Sequence, residues 1–251
     1  MQGEQLAAGL LVLLAIVHST LGESSILGPL FKQEWKVVEP RWAVERILRF
    51  AWHLTSVAWL ALAAVLLGAA VLSVVAGFAI VSAAIIFVML RGHLAWPLFL
   101  LAALAALHAD QRLTDEVLLA GAIAAAMMLV LAAGVHVYWA SGGRWMLDVA
   151  VPVDPSGRGR SPGPALTLAV AGALTTFAAL VLAAATDVGP PVARTLVWIG
   201  VAVFTVRAIG DTKTVGFSKS DHRSTFAQAD DRWFTPIIVC IALGATASVL
   251  G

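Results

Sequence analysis

Residues Phe50 to Leu90 form a run of 41 positions without Asp, Glu, Lys or Arg, and that run limits how the chain can fold more than any other feature. A helix rises ~1.5 Å per residue and the hydrocarbon core of a bilayer is ~30 Å thick, so ~20 apolar residues cross it once. The run is too long for one crossing and must reverse. The reversal is expected between Gly68 and Gly77, because glycine accepts the positive φ of a tight connection. Composition agrees: 60% of residues are hydrophobic, 12% are charged, and mean hydropathy is +0.91, which leaves too little polar surface to coat a soluble globule.

The same reasoning along the chain predicts an all-α, polytopic integral membrane protein of about eight transmembrane helices. Their expected ranges are 6–21, 47–68, 72–90, 94–107, 116–140, 165–186, 195–209 and 233–250. The fourth is short for a span, with Pro97 in its first turn, where a missing N–H does no harm. Arg91-Gly92-His93 reads as a tight turn, 141–164 as a loop rich in proline and glycine-spaced arginine, and 211–232 as a polar loop. Two four-helix halves follow, 1–112 and 113–251.

Charge then sets the expected orientation. Of the 16 Lys and Arg residues, 14 fall on one side of this topology and only Arg112 and Arg194 on the other. By the positive-inside rule the crowded side is the cytoplasm, which places both termini outside and the chain in the plasma (inner) membrane. The first segment lacks a basic leader, since only Glu4 precedes it, so it reads as a retained helix and not as a cleaved signal. Membrane lipids are the expected partners, because the basic face can touch anionic headgroups. The basic residues are dispersed over short loops, which argues against nucleic acid as a partner. The single cysteine, Cys240, rules out an intramolecular disulfide and any cysteine-based metal cluster, and reads as a core thiol.

Both halves open with a helix that approaches a histidine through similar residues. Leu11-Val-Leu-Leu-Ala-Ile-Val-His18 and Leu129-Val-Leu-Ala-Ala-Gly-Val-His136 agree at six of eight positions. Halves with an even number of spans share orientation, as in parallel repeats. In the second half, His136-Val-Tyr-Trp139-Ala-Ser-Gly-Gly143 is followed by Arg207-Ala-Ile-Gly-Asp211, Val-Gly-Phe217, Phe226-Ala and Asp231-Arg-Trp-Phe-Thr-Pro236. On these residues, about 115–250 resembles a family of small bacterial four-helix membrane proteins known only as a domain of unknown function. The resemblance implies the topology and no activity.

The polar residues converge on one expected membrane level. His18 is expected to end the first helix, His53 to lie near the start of the second, His93 to precede the fourth and His136 to end the fifth. An uncompensated charged group inside a span costs ~2.5 kcal/mol or more, so such residues face the bundle interior and have partners. Neutral imidazole is the commonest metal ligand, so His18, His53 and His136 are candidate ligands of a transition metal or haem. Glu23 would complete a metal site or fix a histidine tautomer. Arg49 and Arg207 at helix ends would neutralise a carboxylate, phosphate or haem propionate, or act as snorkelling anchors. Tryptophans such as Trp35, Trp42, Trp139, Trp145 and Trp233 read as an aromatic belt, and Asp221-His222 as a solvated loop pair.

Two function classes fit. One is a membrane-embedded redox enzyme with haem or a metal, acting on a lipophilic small molecule such as a quinone or isoprenoid. Four-plus-four spans with histidines near helix ends also occur in haem A synthase, an analogy of architecture alone. The other is a non-enzymatic transporter or channel component in which the histidines and Glu23 relay protons or bind a solute. Almost purely apolar helix centres favour a site near one face over a pathway through the membrane. A structural protein with no site at all is the third reading.

Overall fold

Spans built from alanine, leucine and valine offer the backbone no partner but itself once water is absent, and the described chain is accordingly helical. The computed structural model describes residues 2–33, 41–89, 95–151, 162–211 and 213–251. Arg91-Gly92-His93, Trp35 and the stretch 152–161 of the proline- and arginine-bearing loop lie outside the described residues. The chain divides into two units, Met1–Arg112 and Leu113–Gly251.

In the first unit, α1 (Gln2–Leu21) continues through a π-helical turn (Gly22–Leu27) into α2 (Gly28–Lys32), followed by α3 (Arg41–Leu66), α4 (Val71–Met89) and α5 (Ala95–Ala109). The helices pack in chain order, α1 on α3, α3 on α4 and α4 on α5. The reversal falls at residues 67–70, where Gly68 adopts φ +90°. Gly77, expected to bracket that turn, instead lies inside α4. Arg41 at the start of α3 donates to the backbone oxygen of Gln33 at 3.0 Å, satisfying a carbonyl left open at the end of α2.

The second unit comprises α6 (Asp115–Ala140), the short α7 (Leu147–Ala150), α8 (Pro164–Ala185), α9 (Val192–Ile209), α10 (Thr225–Ala229), a π-helical turn (Asp230–Phe234) and α11 (Thr235–Leu250). Thr114 caps α6 by accepting from the Val117 amide at 3.4 Å, and Pro164 starts α8 at a position that needs no donor. α11 packs on α6, α8 and α9, while α8 also packs on α6 and α9. Half of the Thr225–Leu250 span is buried, against no more than a third of any other span. It is the core helix of this unit. The two halves, expected as parallel repeats, therefore pack differently: serial hairpins in one and a closed bundle in the other.

Among the described residues, seven helical runs are long and apolar enough to cross a membrane, as expected for a helical polytopic membrane protein. The eighth expected span is α5, whose 15 residues reach only ~22 Å. Two boundaries move substantially. Helix one does not end at His18, because helical structure runs on to Lys32, and the last span begins at Thr225, which brings Asp230, Asp231 and Arg232 into helix. Cys240, read as a core thiol, is exposed on α11.

The closest packing in the second unit uses missing side chains. A Cβ placed on Gly244 of α11 would lie 2.4 Å from the Gly121 backbone oxygen and 2.7 Å from the Ala125 Cβ. Ala122 and Ala245 beside this contact are fully buried. Small residues let two backbones meet where hydrophobic force between helices is absent in lipid. Gly244→Leu should therefore destabilise the unit by about 1–3 kcal/mol or more, through overpacking of a rigid contact. The check is a lower thermal midpoint in detergent than for Gly172→Leu, because a Cβ at Gly172 meets nothing within 4 Å.

Candidate functional site

In the first unit, one face of α3 carries Arg49, Trp52, His53 and Ser56 at helical spacing, and it meets Ser19, Gly22 and Glu23 of the α1 run. Arg49 holds the Glu23 carboxylate with Nε at 3.0 and 3.2 Å and Nη2 at 2.8 Å, and its guanidinium also lies 4.9 Å from the Phe31 ring. His53 Nε2 faces Glu23 Oε2 at 3.6 Å, and its Nδ1 lies 3.0 Å from the Ser19 hydroxyl. Ser19 donates onward to Ser56 at 2.9 Å. With that hydroxyl proton engaged, Nδ1–H of His53 is the donor to Ser19, which leaves Nε2 as the nitrogen that faces Glu23.

His18 sits next to this chain of contacts without joining it. Its ring stacks on Trp52, with centroids 4.5 Å apart and planes 3° from parallel, and its Nε2 lies 3.1 Å from the Thr55 hydroxyl. Trp52 donates its indole N–H to the His18 backbone oxygen at 3.0 Å. This contact depends on Gly22, since a Cβ there would lie 1.9 Å from the indole nitrogen. Glu23 itself belongs to the π-helical turn, a local widening that often marks functional positions.

His136 lies in the other unit, on α6. Its Nδ1 donates to the Ala132 backbone oxygen at 2.8 Å and its ring tilts against Trp139 at 5.1 Å. Among the described residues, no group of three or more His, Cys, Asp or Glu side chains is placed to hold a metal ion. Of the residues expected to share a site, the structure brings together Glu23, Arg49 and His53, with His18 as their neighbour.

Arg207, the other expected anion ligand, closes a buried network near the end of α9. Its Nη2 donates to Asp230 Oδ1 at 2.7 Å. Asp230 is fully buried, and its Oδ2 accepts from the Gly216 amide at 2.9 Å, Lys219 Nζ at 3.0 Å and the Thr235 hydroxyl at 3.0 Å. Lys219, also buried, bridges to Asp231, and Asp231 accepts from His222 Nδ1 at 3.0 Å. Phe217 and Ser218 donate backbone N–H groups to the Ala208 and Ile209 oxygens, capping α9. The fold-back needs glycine twice: Gly210 (φ +104°) and Gly216 (φ +76°) touch backbone to backbone, and a Cβ on Gly210 would lie 1.9 Å from the Val215 oxygen. Asp221, expected to be merely solvated, accepts from the Arg223 amide at 2.9 Å.

Burial alone would raise the Asp211 carboxyl, but the Thr214 hydroxyl and the amides of Val215, Thr214 and Lys213 hold it well below the usual carboxylate range. Sequence reasoning missed Ser19, Ser56 and Thr55 on the α1 and α3 faces, and Lys219 and Asp230 in the loop network. Helical spacing from Arg49 pointed to Ser56; no local signal marks Lys219.

Two outcomes follow from this geometry. Asp230→Asn leaves Lys219 and Arg207 without their shared buried counter-charge and should cost about 3–5 kcal/mol, read as a large fall in thermal midpoint that Asp221→Asn, on the exposed loop, does not share. Asp211 acts in the opposite pH direction from a histidine. Its folded carboxyl is depressed, so its contribution is full above the ordinary carboxylate value and is lost as pH falls toward the depressed one. Asp211→Asn should lower the thermal midpoint at neutral pH, and the gap to the parent protein should shrink below about pH 4.

Residues 128–246 match a family described as a protein of unknown function (DUF3995). This segment, just under half of the chain, holds the whole Arg207–Asp230 network and His136. No curated protein and no solved structure matches the chain.

Proposed function

We propose that this multi-pass membrane protein carries out proton exchange with a lipophilic molecule at one membrane face, through the Glu23–His53–Ser19 contacts, with Arg49 balancing the Glu23 charge. The observation that carries the reading is the way these groups are presented. The side chains of Glu23, Arg49 and His53 are 42%, 38% and 37% exposed, while nearby Leu21, Ile26, Ile47 and Leu48 also face outward. A polar cluster framed by lipid-facing apolar side chains is reached from the hydrocarbon. Its donors and acceptors are engaged with hydroxyls and a carboxylate, which suits proton transfer better than metal ligation. Solute or proton transport through the same pair is the second reading, favoured by the 3.6 Å separation of His53 Nε2 and Glu23, which only a small movement must close.

The test uses dicyclohexylcarbodiimide, a lipophilic reagent that modifies protonated carboxyls from the hydrocarbon side, on the full chain in nanodiscs with mass spectrometric readout. Glu23 should be modified, Glu23→Gln should remove that adduct, and Arg49→Gln should increase it at the same pH because the carboxylate loses its fixed counter-charge. An unmodified Glu23 beside modified reference carboxyls would sink the reading. Proton uptake into liposomes carrying the protein, abolished in Glu23→Gln, would favour transport. A Soret band or stoichiometric transition metal lost in a His18→Ala and His53→Ala double variant would replace proton exchange with haem or metal ligation.

A further inference from the structure

A cavity of about 370 Å³ opens between α6, α7 and α8, within the usual size range of small-molecule sites, roughly 300 to 1,000 Å³. Its walls are mainly apolar, with Leu147, Leu166 and Val170 among them, and three polar side chains of the described residues line it: His136, Trp139 and Thr167. None of the three has a hydrogen left to offer. His136 Nδ1–H is given to the Ala132 oxygen at 2.8 Å, the Trp139 indole N–H to the Trp145 oxygen at 2.8 Å, and the Thr167 hydroxyl proton to the Gly163 oxygen at 3.1 Å. Neutral imidazole with its proton on Nδ1 has a lone pair on Nε2, and a hydroxyl that donates can still accept. Among the described residues, the polar side chains of this cavity therefore offer acceptors only.

A ligand that brings only acceptors, such as a quinone carbonyl, an ether or a carboxylate, would desolvate itself there without gaining a partner. A ligand with a hydroxyl hydrogen gains one. We propose that the cavity binds a lipophilic alcohol or phenol, its hydroxyl donating to His136 Nε2 and its hydrocarbon body lying on the apolar walls. The site thereby selects the hydroxyl form of a molecule over its carbonyl or ether counterpart. His136 serves here as a single hydrogen-bond acceptor, and the inference does not depend on the Glu23 cluster, which belongs to the other unit.

Equilibrium binding of radiolabelled para-octylphenol and of its methyl ether to the full chain in nanodiscs, corrected for uptake by empty nanodiscs of the same lipid, tests this. The two probes share shape and hydrophobicity and differ in one donor. The phenol should bind saturably and about ten-fold more tightly than the ether, the size of effect that one hydrogen bond in an apolar site supports. His136→Phe, close in shape but without the acceptor, should retain phenol binding at the ether's level and lose the preference. Ala150→Leu, which fills the cavity from α7, should abolish saturable binding of both. Equal affinity of the two probes for the parent protein, or a preference that survives either variant, overturns the proposal. Should His136→Phe fail to fold, the phenol-to-ether ratio of the parent protein and its loss in Ala150→Leu decide alone.

Discussion

Inside a bilayer the chain has no water with which to satisfy a backbone amide or carbonyl, and each one left open costs several kcal/mol. That constraint explains why the described chain is helical, and also how its polar side chains behave. Threonine hydroxyls within spans turn back onto their own helices: Thr20 donates to Ile16, Thr175 to Ala171 and Thr246 to Ala242. Where a helix ends, a partner comes from elsewhere in the chain. Phe217 and Ser218 close α9, and Arg41 closes α2. Just before the π-helical turn, the Trp52 indole N–H finds its partner in the His18 carbonyl. Polar residues in this protein mostly serve the backbone first, and only a few groups remain available for chemistry.

Asp230 shows how the same constraint treats charge. A fully buried carboxylate is tolerated when its oxygens accept several hydrogen bonds and opposite charges lie beside it. Arg207, Lys219, Gly216 and Thr235 supply both, tying the end of α9, the following loop and the start of α11 to one point. The motif residues that suggested a family resemblance, among them Arg207, Gly210, Asp211, Gly216 and Thr235, are the ones this arrangement requires. Their restriction is architectural: two glycines in positive φ, an aspartate that gathers loop amides, and a cation on each side of a buried anion.

The span pattern was legible from residue types because a long uncharged segment has few alternatives. Arg49 and Arg207 were also legible as groups that would neutralise something, and both pair with carboxylates of the chain itself. The partner of Arg207 was not, because Asp230 belongs to a polar stretch that reads as loop until helical structure is seen to begin at Thr225. His18, Glu23, His53 and His136 share an expected depth along the sequence, and depth suggests convergence. It says nothing about which faces meet. The imidazoles use different nitrogens for different tasks: Nδ1 of His136 on a carbonyl, Nε2 of His18 against a hydroxyl, and both nitrogens of His53 in a chain of contacts.

Residue chemistry alone determined that the chain is helical, that it has several apolar spans, and roughly where they start and stop, because hydrophobic length against a bilayer is a one-dimensional quantity. Tertiary structure decided which helices touch. In a background of alanine, leucine and valine every helix face looks alike, and the choice falls to contacts such as Gly121 on Gly244 or Gly22 under Trp52, where a missing side chain admits one neighbour and not another. Those contacts in turn decide which polar groups share a site, since a hydrogen bond needs a partner within about 3 Å and sequence spacing cannot supply that across two helices.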